Sequence, residues 1–281
     1  MATQYKVFEI ARDGHVATLW LANPERRNAM GPDFWRELPL AIGELDDDPD
    51  VRAIVVAARG SAFSVGLDLK AMMSDPAGSA LSASAGRESS TGAAARLATR
   101  DNVLRLQRSI SAVADCRKPV IAAVHGYTIG GAIDLITAAD VRLAARDAVF
   151  SVRETRIAIV ADVGTLQRLP GIVGRGIAAE LALSGADFDA ERAREIQLVN
   201  HVYADAATTH TAAHELARAI ARNSPLAVQG TKQVLRYCEG KSVADGLDYV
   251  ATWNAAFFPS DDLLEAIQAF FEKREPRFSG R

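Results

Sequence analysis

The sequence is poor in cysteine, has no excess of basic residues and contains no long hydrophobic run. Two cysteines among 281 residues, Cys116 and Cys238, are too few for a disulfide framework or a cysteine-based metal cluster. The net charge of −3 argues against nucleic-acid binding, since that task favours a basic surface. No run of about 18 apolar residues is present, so the sequence predicts no membrane-spanning helix and no membrane partner.

Recognisable targeting patterns are also missing from both ends of the sequence. Residues 1–15 lack the features of a secretory signal or a transit peptide. The last four residues are neither a peroxisomal signal nor a retention signal. We therefore expect a cytoplasmic protein.

The composition is that of an ordinary soluble globular protein, with 49% hydrophobic and 24% charged residues. Strand and helix patterns alternate over residues 1–204, whereas residues 205–281 show helix patterns alone. We predict an α/β core over residues 1–204 and a helical C-terminal region, used for packing and oligomerisation, over residues 205–281. The predicted strands cover residues 5–10, 15–21, 51–58, 120–125 and 197–203. The predicted helices cover residues 34–45, 93–114, 173–183, 189–195, 206–222, 225–238, 242–257 and 261–273.

Three carboxylates occupy unusual places between residues 120 and 169. Asp134 lies inside an apolar segment, Glu154 follows 20 residues later, and Asp162 follows after a further 8. A charged side chain among apolar residues is unfavourable unless it is paired, so such groups are usually protonated, paired or functional. The three residues are therefore candidates for acid–base chemistry.

Two glycine turns predict backbone amides that are free to bind a ligand. Gly130 and Gly131 follow a buried strand and precede a helix, and Gly66 stands in a similar strand–turn–helix position. The first amides of a helix have no internal acceptor and point outward. Each turn is thus a potential donor to a developing oxyanion.

Each carboxylate also has a simpler explanation. Asp162 fits the N-cap of a helix starting at residue 163. Glu154 fits a surface ion pair with Arg153 or Arg156. Asp134 fits a buried structural carboxylate bonded to backbone amides, and that role and a tuning role stay open.

Three further interpretations remain open or are excluded. Residues 74–92, rich in Ser, Ala and Gly, are either the edge of a mobile lid or an insertion without function. His210 and His214 are spaced as on one helix face, but no third ligand lies nearby in the sequence, so no metal site is predicted. A serine hydrolase is disfavoured because no G-x-S-x-G motif is present.

Five segments, taken together and in order, resemble the enoyl-CoA hydratase/isomerase (crotonase) superfamily. They are ERRNAM at residues 25–30, SAFSVGLDLKAM at 61–72, VIAAVHGYTIGGAIDL at 120–135, ADVGTLQRLP at 161–170 and AFFEKREPRF at 269–278. The resemblance spans essentially the whole chain. It implies a spiral of ββα units with a helical C-terminal region, assembled as a homotrimer or a dimer of trimers.

The resemblance also implies an acyl-CoA substrate whose thioester oxygen lies between two backbone amides. Carried over residue by residue, these are the amides of Leu67 and Gly131. The implied lining of the coenzyme A site includes Arg26, Arg27, Ser64, Asp68 and Leu69, with Phe270 and Lys273 reaching the coenzyme A of a neighbouring subunit. No cofactor beyond the thioester and no metal is implied.

The carboxylates indicate which branch the chain resembles. Hydratases of the superfamily have glutamates at positions 134 and 154 and a glycine at position 162, whereas this chain has Asp134, Glu154 and Asp162. That triplet is similar to the 3,5–2,4-dienoyl-CoA isomerases, although Ala132 stands where a third glycine is common. The resemblance implies conversion of a 3,5-dienoyl-CoA into a 2,4-dienoyl-CoA, with Glu154 as base at carbon 2, Asp162 as acid at carbon 6 and Asp134 tuning both. The alternative is a 2-enoyl-CoA hydratase of fatty-acid β-oxidation.

Overall fold

The computed structural model describes residues 4–74 and 92–281. The strands within these ranges are β1 (Phe8–Asp13), β2 (Val16–Leu21), β3 (Ala53–Ala58), β4 (Val120–Val124), β5 (Tyr127–Ile129), β6 (Val141–Ala145), β7 (Val149–Ser151), β8 (Phe188–Asp189) and β9 (His201–Tyr203). The α-helices are α1 (Pro32–Asp47), α2 (Leu69–Met73), α3 (Ala93–Asp115), α4 (Gly131–Thr137), α5 (Thr165–Val173), α6 (Arg175–Ser184), α7 (Ala190–Glu195), α8 (Ala206–Ala221), α9 (Pro225–Tyr237), α10 (Val243–Phe257) and α11 (Asp261–Glu272). Two short 3₁₀ helices span Pro24–Arg26 and Glu154–Ile157.

The larger sheet has six strands in the order β1-β2-β3-β4-β6-β9. Only the β1–β2 hairpin is antiparallel, and each later neighbour pairs in parallel. Parallel neighbours need long crossover connections, and helices supply most of them here. The predicted α/β class is therefore confirmed.

Strand β3 shows why its sequence is a continuous apolar run. Ile54 and Val56 face the core that contains α1, while Val55 faces the opposite side and packs near Ala213 and Ala217 of α8. Both faces of the strand are covered, so no position is available for a polar side chain. Helix α8 thus closes one face of the sheet with small residues.

A second, three-stranded sheet has the order β5-β7-β8. Strand β4 of the large sheet continues into β5 of the small one and then into α4, and β6 continues in the same way into β7 and the 3₁₀ helix. This repetition of strand, strand and helix is the ββα spiral that the sequence predicts. Successive ββα units of the spiral therefore place the residues at their ends close to one another in space.

Some predicted elements differ from the structure. The helix predicted at 173–183 is α6, which begins two residues later at Arg175, because Gly174 with a φ of +81° separates it from α5. The strand predicted at 197–203 begins only at His201, because Gln197 adopts a left-handed conformation that does not fit a strand. Strands β5, β7 and β8 have two or three residues, too few for a periodic pattern. The five-residue strand β6 was also not predicted.

The four C-terminal helices lie where the sequence predicts them, and each N-terminus is capped by a side chain of Asp205, Ser224, Ser242 or Ser260. Helices α10 and α11 expose large apolar side chains, including Leu247 and Phe270. The division of the chain at residues 204 and 205 stays a prediction. The lid interpretation of residues 74–92 falls almost entirely outside the described residues.

Among the helices in the two described ranges, none combines the length and hydrophobicity needed to cross a bilayer.

Candidate active site

One pocket contains all five residues predicted to carry the chemistry. Leu67, Gly131, Asp134, Glu154 and Asp162 all line it. The rest of its wall is mostly apolar and includes Trp35, Met72, Val103, Leu106, Ile157 and Ile159. A concave apolar pocket with a few converging polar groups is the usual form of a small-molecule site.

The two glycine turns meet at this pocket. Gly66 has a φ of +81°, and a Cβ atom placed on it would lie 2.5 Å from the carbonyl oxygen of Ile129 and 3.4 Å from the amide nitrogen of Gly131. Only glycine allows this approach. The turn is further held by Met30, whose amide donates to the Gly66 carbonyl at 2.8 Å.

The amides of Leu67 and Gly131 remain available in this arrangement. On either side of Leu67, the Gly66 carbonyl accepts from the Met30 amide and the Asp68 amide donates to the Met30 carbonyl. These two hydrogen bonds fix the backbone at Leu67. Within the described residues, neither the Leu67 amide nor the Gly131 amide donates a hydrogen bond. Two fixed donors that line one pocket are the elements of an oxyanion hole.

Asp134 is the most deeply buried of the three carboxylates, with 1% of its surface exposed. One of its oxygens, Oδ1, accepts a hydrogen bond from the Thr165 amide at 2.5 Å. Burial, together with the charges of Glu154 and Asp162, raises the pKa of Asp134 to about 7, although hydrogen bonding from Thr165 opposes the rise. The predicted bond to a backbone amide is thus present, and it satisfies the first amide of α5.

Glu154 begins the second 3₁₀ helix and is half-buried. A Cβ placed on Gly130 would lie 3.4 Å from its Oε1, and its Oε2 is buried without a hydrogen-bond partner among the described residues. Burial raises the pKa of the Glu154 carboxyl, with a contribution from the charge of Asp162. The ion-pair explanation is wrong, because Arg153 and Arg156 pair with Asp187 instead.

Asp162 lines the pocket and does not cap a helix. Helix α5 begins at Thr165 after the N-cap residue Gly164, and no side chain caps it at that position. The residue is exposed in the single chain, yet the surrounding protein removes enough water from the carboxyl to raise its pKa. The helix-cap explanation of Asp162 is therefore wrong.

The three carboxylates influence one another electrostatically. In the described part of the chain, no lysine or arginine forms an ion pair with any of them. Each ionised carboxylate in such a pocket disfavours ionisation of the others, so a state with three negative charges is unfavourable. The site therefore favours a mixture of ionised and protonated carboxyl groups at neutral pH.

Two of the residues matched to the coenzyme A site, Ser64 and Asp68, bond within the protein. Ser64 is fully buried and structural, since its hydroxyl donates to the Asn28 carbonyl at 2.7 Å. Asp68 caps α2 through the Ala71 amide at 3.0 Å and forms a 3.0 Å ion pair with Arg26. Because Asp68 is the cap, α2 begins at Leu69 and not at Gly66 as the sequence suggested.

The other residues matched to that site are exposed. Arg27 and Leu69 face solvent, and Phe270 and Lys273 lie on and just after α11. None of these four lines the pocket of the single chain. Their contact with coenzyme A stays a prediction.

Sequence analysis missed the wall that α3 supplies. Thr99, Asn102, Val103 and Leu106 of α3 line the pocket, as does Trp35 of α1, whose indole nitrogen donates to the Met30 carbonyl at 3.1 Å. Their helical spacing indicated only a buried face, and nothing local distinguishes a face that lines a ligand pocket from one that packs on protein. Across the described ranges, no group of three or more His, Cys, Asp or Glu side chains could hold a metal ion.

Comparison with known proteins identifies the family of this chain. The model of the enoyl-CoA hydratase/isomerase family matches residues 11–281. The chain belongs to the enoyl-CoA hydratase/isomerase family. The crystal structure of an enoyl-CoA hydratase from Bacillus anthracis superimposes with a TM-score of 0.86 at 28% identity, covering 98% of this chain and 100% of that one. The family fold expected from the sequence is thereby confirmed.

Relatives within the family are similar over nearly the whole chain. A peroxisomal Δ(3,5)-Δ(2,4)-dienoyl-CoA isomerase of Arabidopsis thaliana is 44% identical over 278 residues, which cover 98% of both proteins. A mitochondrial protein of the same name from Homo sapiens is 40% identical over 267 residues, covering 93% of this chain and 77% of that protein. The resemblance to the dienoyl-CoA isomerase branch is therefore confirmed.

The expectation of a cytoplasmic location is wrong. It was based on the absence of recognisable targeting patterns, whereas the matched isomerases are named peroxisomal or mitochondrial. A pattern search at the chain ends is thus a poor guide to compartment in this family.

Asp134→Asn is predicted to change how stability depends on pH. The folded pKa of about 7 lies above the ordinary value of 3.8 for an aspartate, so this carboxyl stabilises the fold below about pH 4, and that contribution is lost as pH rises to about 7. Asparagine keeps an oxygen for the Thr165 amide but never ionises. The melting temperature of the variant relative to the wild type should therefore rise from pH 4 towards pH 8.

Thermal unfolding over this pH range measures the effect, with the exposed Asp248→Asn substitution on α10 as the matched control. A difference between Asp134→Asn and wild type that stays constant with pH would contradict the raised pKa.

Proposed function

We propose that this protein is an isomerase that converts a 3,5-dienoyl-CoA into a 2,4-dienoyl-CoA. The observation that carries the proposal is the presence of Asp162 in the same pocket as Asp134, Glu154 and the free amides of Leu67 and Gly131. Full-length similarity to proteins named Δ(3,5)-Δ(2,4)-dienoyl-CoA isomerase supports it.

The reaction needs two proton transfers at distant carbons. Glu154 removes a proton from carbon 2, and the electron pair spreads over the thioester oxygen and carbons 2, 4 and 6. Asp162 then donates a proton to carbon 6, which leaves double bonds at carbons 2 and 4. The amides of Leu67 and Gly131 stabilise the negative oxygen of the intermediate.

The proposed roles require Glu154 to be ionised and Asp162 to be protonated when substrate binds. Burial raises the pKa of all three carboxyl groups, and the charge of Asp162 also raises the pKa of Asp134 and of Glu154, so ionisation of all three groups together is disfavoured. Asp134 contributes its charge and its fixed position, and its bond to the Thr165 amide keeps it out of the proton transfers. Because the reaction only moves protons, it needs no cofactor beyond the coenzyme A thioester.

The acyl chain is proposed to lie in the pocket, against its apolar wall between α1, α2 and α3. Coenzyme A is proposed to lie at the entrance of this pocket. Arg26, Arg27 and Leu69 lie on the segments proposed to contact coenzyme A, and Ser64 and Asp68 hold those segments in place. The protein is further proposed to form a homotrimer or a dimer of trimers. The exposed apolar side chains of α10 and α11 support such an assembly, in which Phe270 and Lys273 would reach a neighbour's coenzyme A.

The alternative activity is hydration of a 2-enoyl-CoA, in which two carboxylates hold the attacking water. Proteins named enoyl-CoA hydratase share the fold at 26–28% identity. Asp134 is poorly suited to hold water, because it is buried and its Oδ1 is bonded to the Thr165 amide. Hydration also assigns no role to the Asp162 carboxyl, so the geometry favours isomerase activity.

Glu154→Gln and Asp162→Asn are each predicted to lower kcat on a 3,5-dienoyl-CoA by ~10²–10⁴-fold, because each removes one proton-transfer group and keeps its shape. Formation of the conjugated 2,4-dienoyl thioester is followed by ultraviolet absorbance. Crotonyl-CoA serves as the competing substrate, and Asp248→Asn as the control variant. Rapid hydration of crotonyl-CoA with full activity of Asp162→Asn would establish a hydratase instead.

Gly66→Ala is predicted to lower kcat by at least ~10²-fold, since a Cβ at this left-handed position would push the Leu67 amide away from the pocket. Gly43→Ala, inside α1 with open space around its Cβ position, is the matched control and should keep full activity. Wild-type activity in Gly66→Ala would show that the Leu67 amide does not stabilise the intermediate.

A further inference from the structure

The turn that carries Asp162 is held by side chains from three different helices. Residues 158–164 belong to no helix or strand. Gln107 of α3 donates from Nε2 to the Asp162 carbonyl at 2.7 Å. Arg168 of α5 donates from Nη1 to the Val163 carbonyl at 3.4 Å, and Asp134 of α4 accepts from the Thr165 amide.

Arg168 is fitted closely to this turn. Its other terminal nitrogen, Nη2, donates to the Ser111 hydroxyl of α3 at 3.1 Å, so the guanidinium joins α3 to the turn. Gly164 lies directly under it, with a φ of +137°, and a Cβ at Gly164 would overlap with the guanidinium. Only a glycine at 164 leaves room for the arginine in this position.

The charge of Arg168 also acts on the site. The side chain is half-buried, and burial lowers the pKa of its guanidinium while the charge of Asp134 opposes this. The other charged groups that act on it are Asp115, Glu239 and Arg236. Arg168 is thus a cation close enough to Asp134 to interact with it, although the two form no ion pair.

We propose that Arg168 and Gln107 are positioning residues that fix the 162–165 turn, so that the Asp162 carboxyl stays at the pocket and the Thr165 amide stays on Asp134. Neither side chain lines the pocket, so neither touches substrate. This inference rests on the proposed isomerase function for its effect on rate, but its structural part is independent of that function.

The expected kinetic effect follows from geometry. Without the guanidinium or the Gln107 amide, the turn moves and the Asp162 carboxyl loses its fixed distance to carbon 6, whereas the oxyanion hole and the apolar wall are unchanged. A displacement of about 1 Å in a catalytic group lowers rate by up to ~10²-fold. We therefore expect kcat to fall ~10–100-fold in Arg168→Met and less in Gln107→Leu, with KM within about twofold of wild type.

The test combines kinetics with amide hydrogen exchange in the substrate-free protein. Arg168→Met and Gln107→Leu are compared with Arg175→Met and Gln233→Leu, which alter exposed residues on α6 and α9. In Arg168→Met and Gln107→Leu, we expect faster exchange in peptides covering residues 158–167 and unchanged exchange in the large sheet. We also expect kcat to fall in these two variants while KM stays unchanged. The two control variants should match wild type in both measurements. Added guanidinium should restore part of the rate in Arg168→Ala and none in Arg175→Met.

Three outcomes would overturn the proposal. They are unchanged exchange at the turn, a uniform rise in exchange over the whole protein, and a change in KM alone. If wild type itself fails to isomerise a 3,5-dienoyl-CoA, the proposed function is wrong, and exchange at the turn still decides whether Arg168 and Gln107 position it.

Discussion

The hydrogen bond between the buried Asp134 carboxylate and the Thr165 amide connects the parts of this site. It joins the start of α4, where the Gly131 amide faces the pocket, to the start of α5, which follows Asp162. A buried carboxylate needs such a donor, and the first amide of a helix needs such an acceptor. The same bond therefore sets the relative position of the oxyanion hole and the proposed acid.

Electrostatics follows from this arrangement. Asp134, Glu154 and Asp162 line one pocket that has mostly apolar walls, and burial raises the pKa of each carboxyl group. Three full charges would be unfavourable there, so protonated and ionised carboxyl groups coexist near neutral pH. An acid and a base of the same chemical type can then act on opposite ends of one conjugated substrate.

Local signals made much of this predictable. The apolar runs of β3 and β4 and the glycines at positions 66, 130 and 131 indicated strands and turns correctly, because strand burial and left-handed turns restrict residue type strongly. What could not be predicted depends on residues distant in sequence. Nothing in the helical pattern of α3 reveals that Gln107 reaches the Asp162 carbonyl. Helix α5 starts at Thr165 and not at residue 163 because Gly164 has a non-helical φ of +137° and the Thr165 amide bonds to the distant Asp134.

The central claim is that Glu154 and Asp162 transfer protons at opposite ends of the diene. The most direct test is the reaction of a 3,5-dienoyl-CoA in D₂O, with the product analysed by nuclear magnetic resonance. A carboxylic acid exchanges its proton with solvent, so we predict a 2,4-dienoyl product with deuterium at carbon 6, formed ~10²–10⁴-fold more slowly by Asp162→Asn. Deuterium at carbon 4 in a 2,5-dienoyl product, or a hydroxyl at carbon 3, would contradict it.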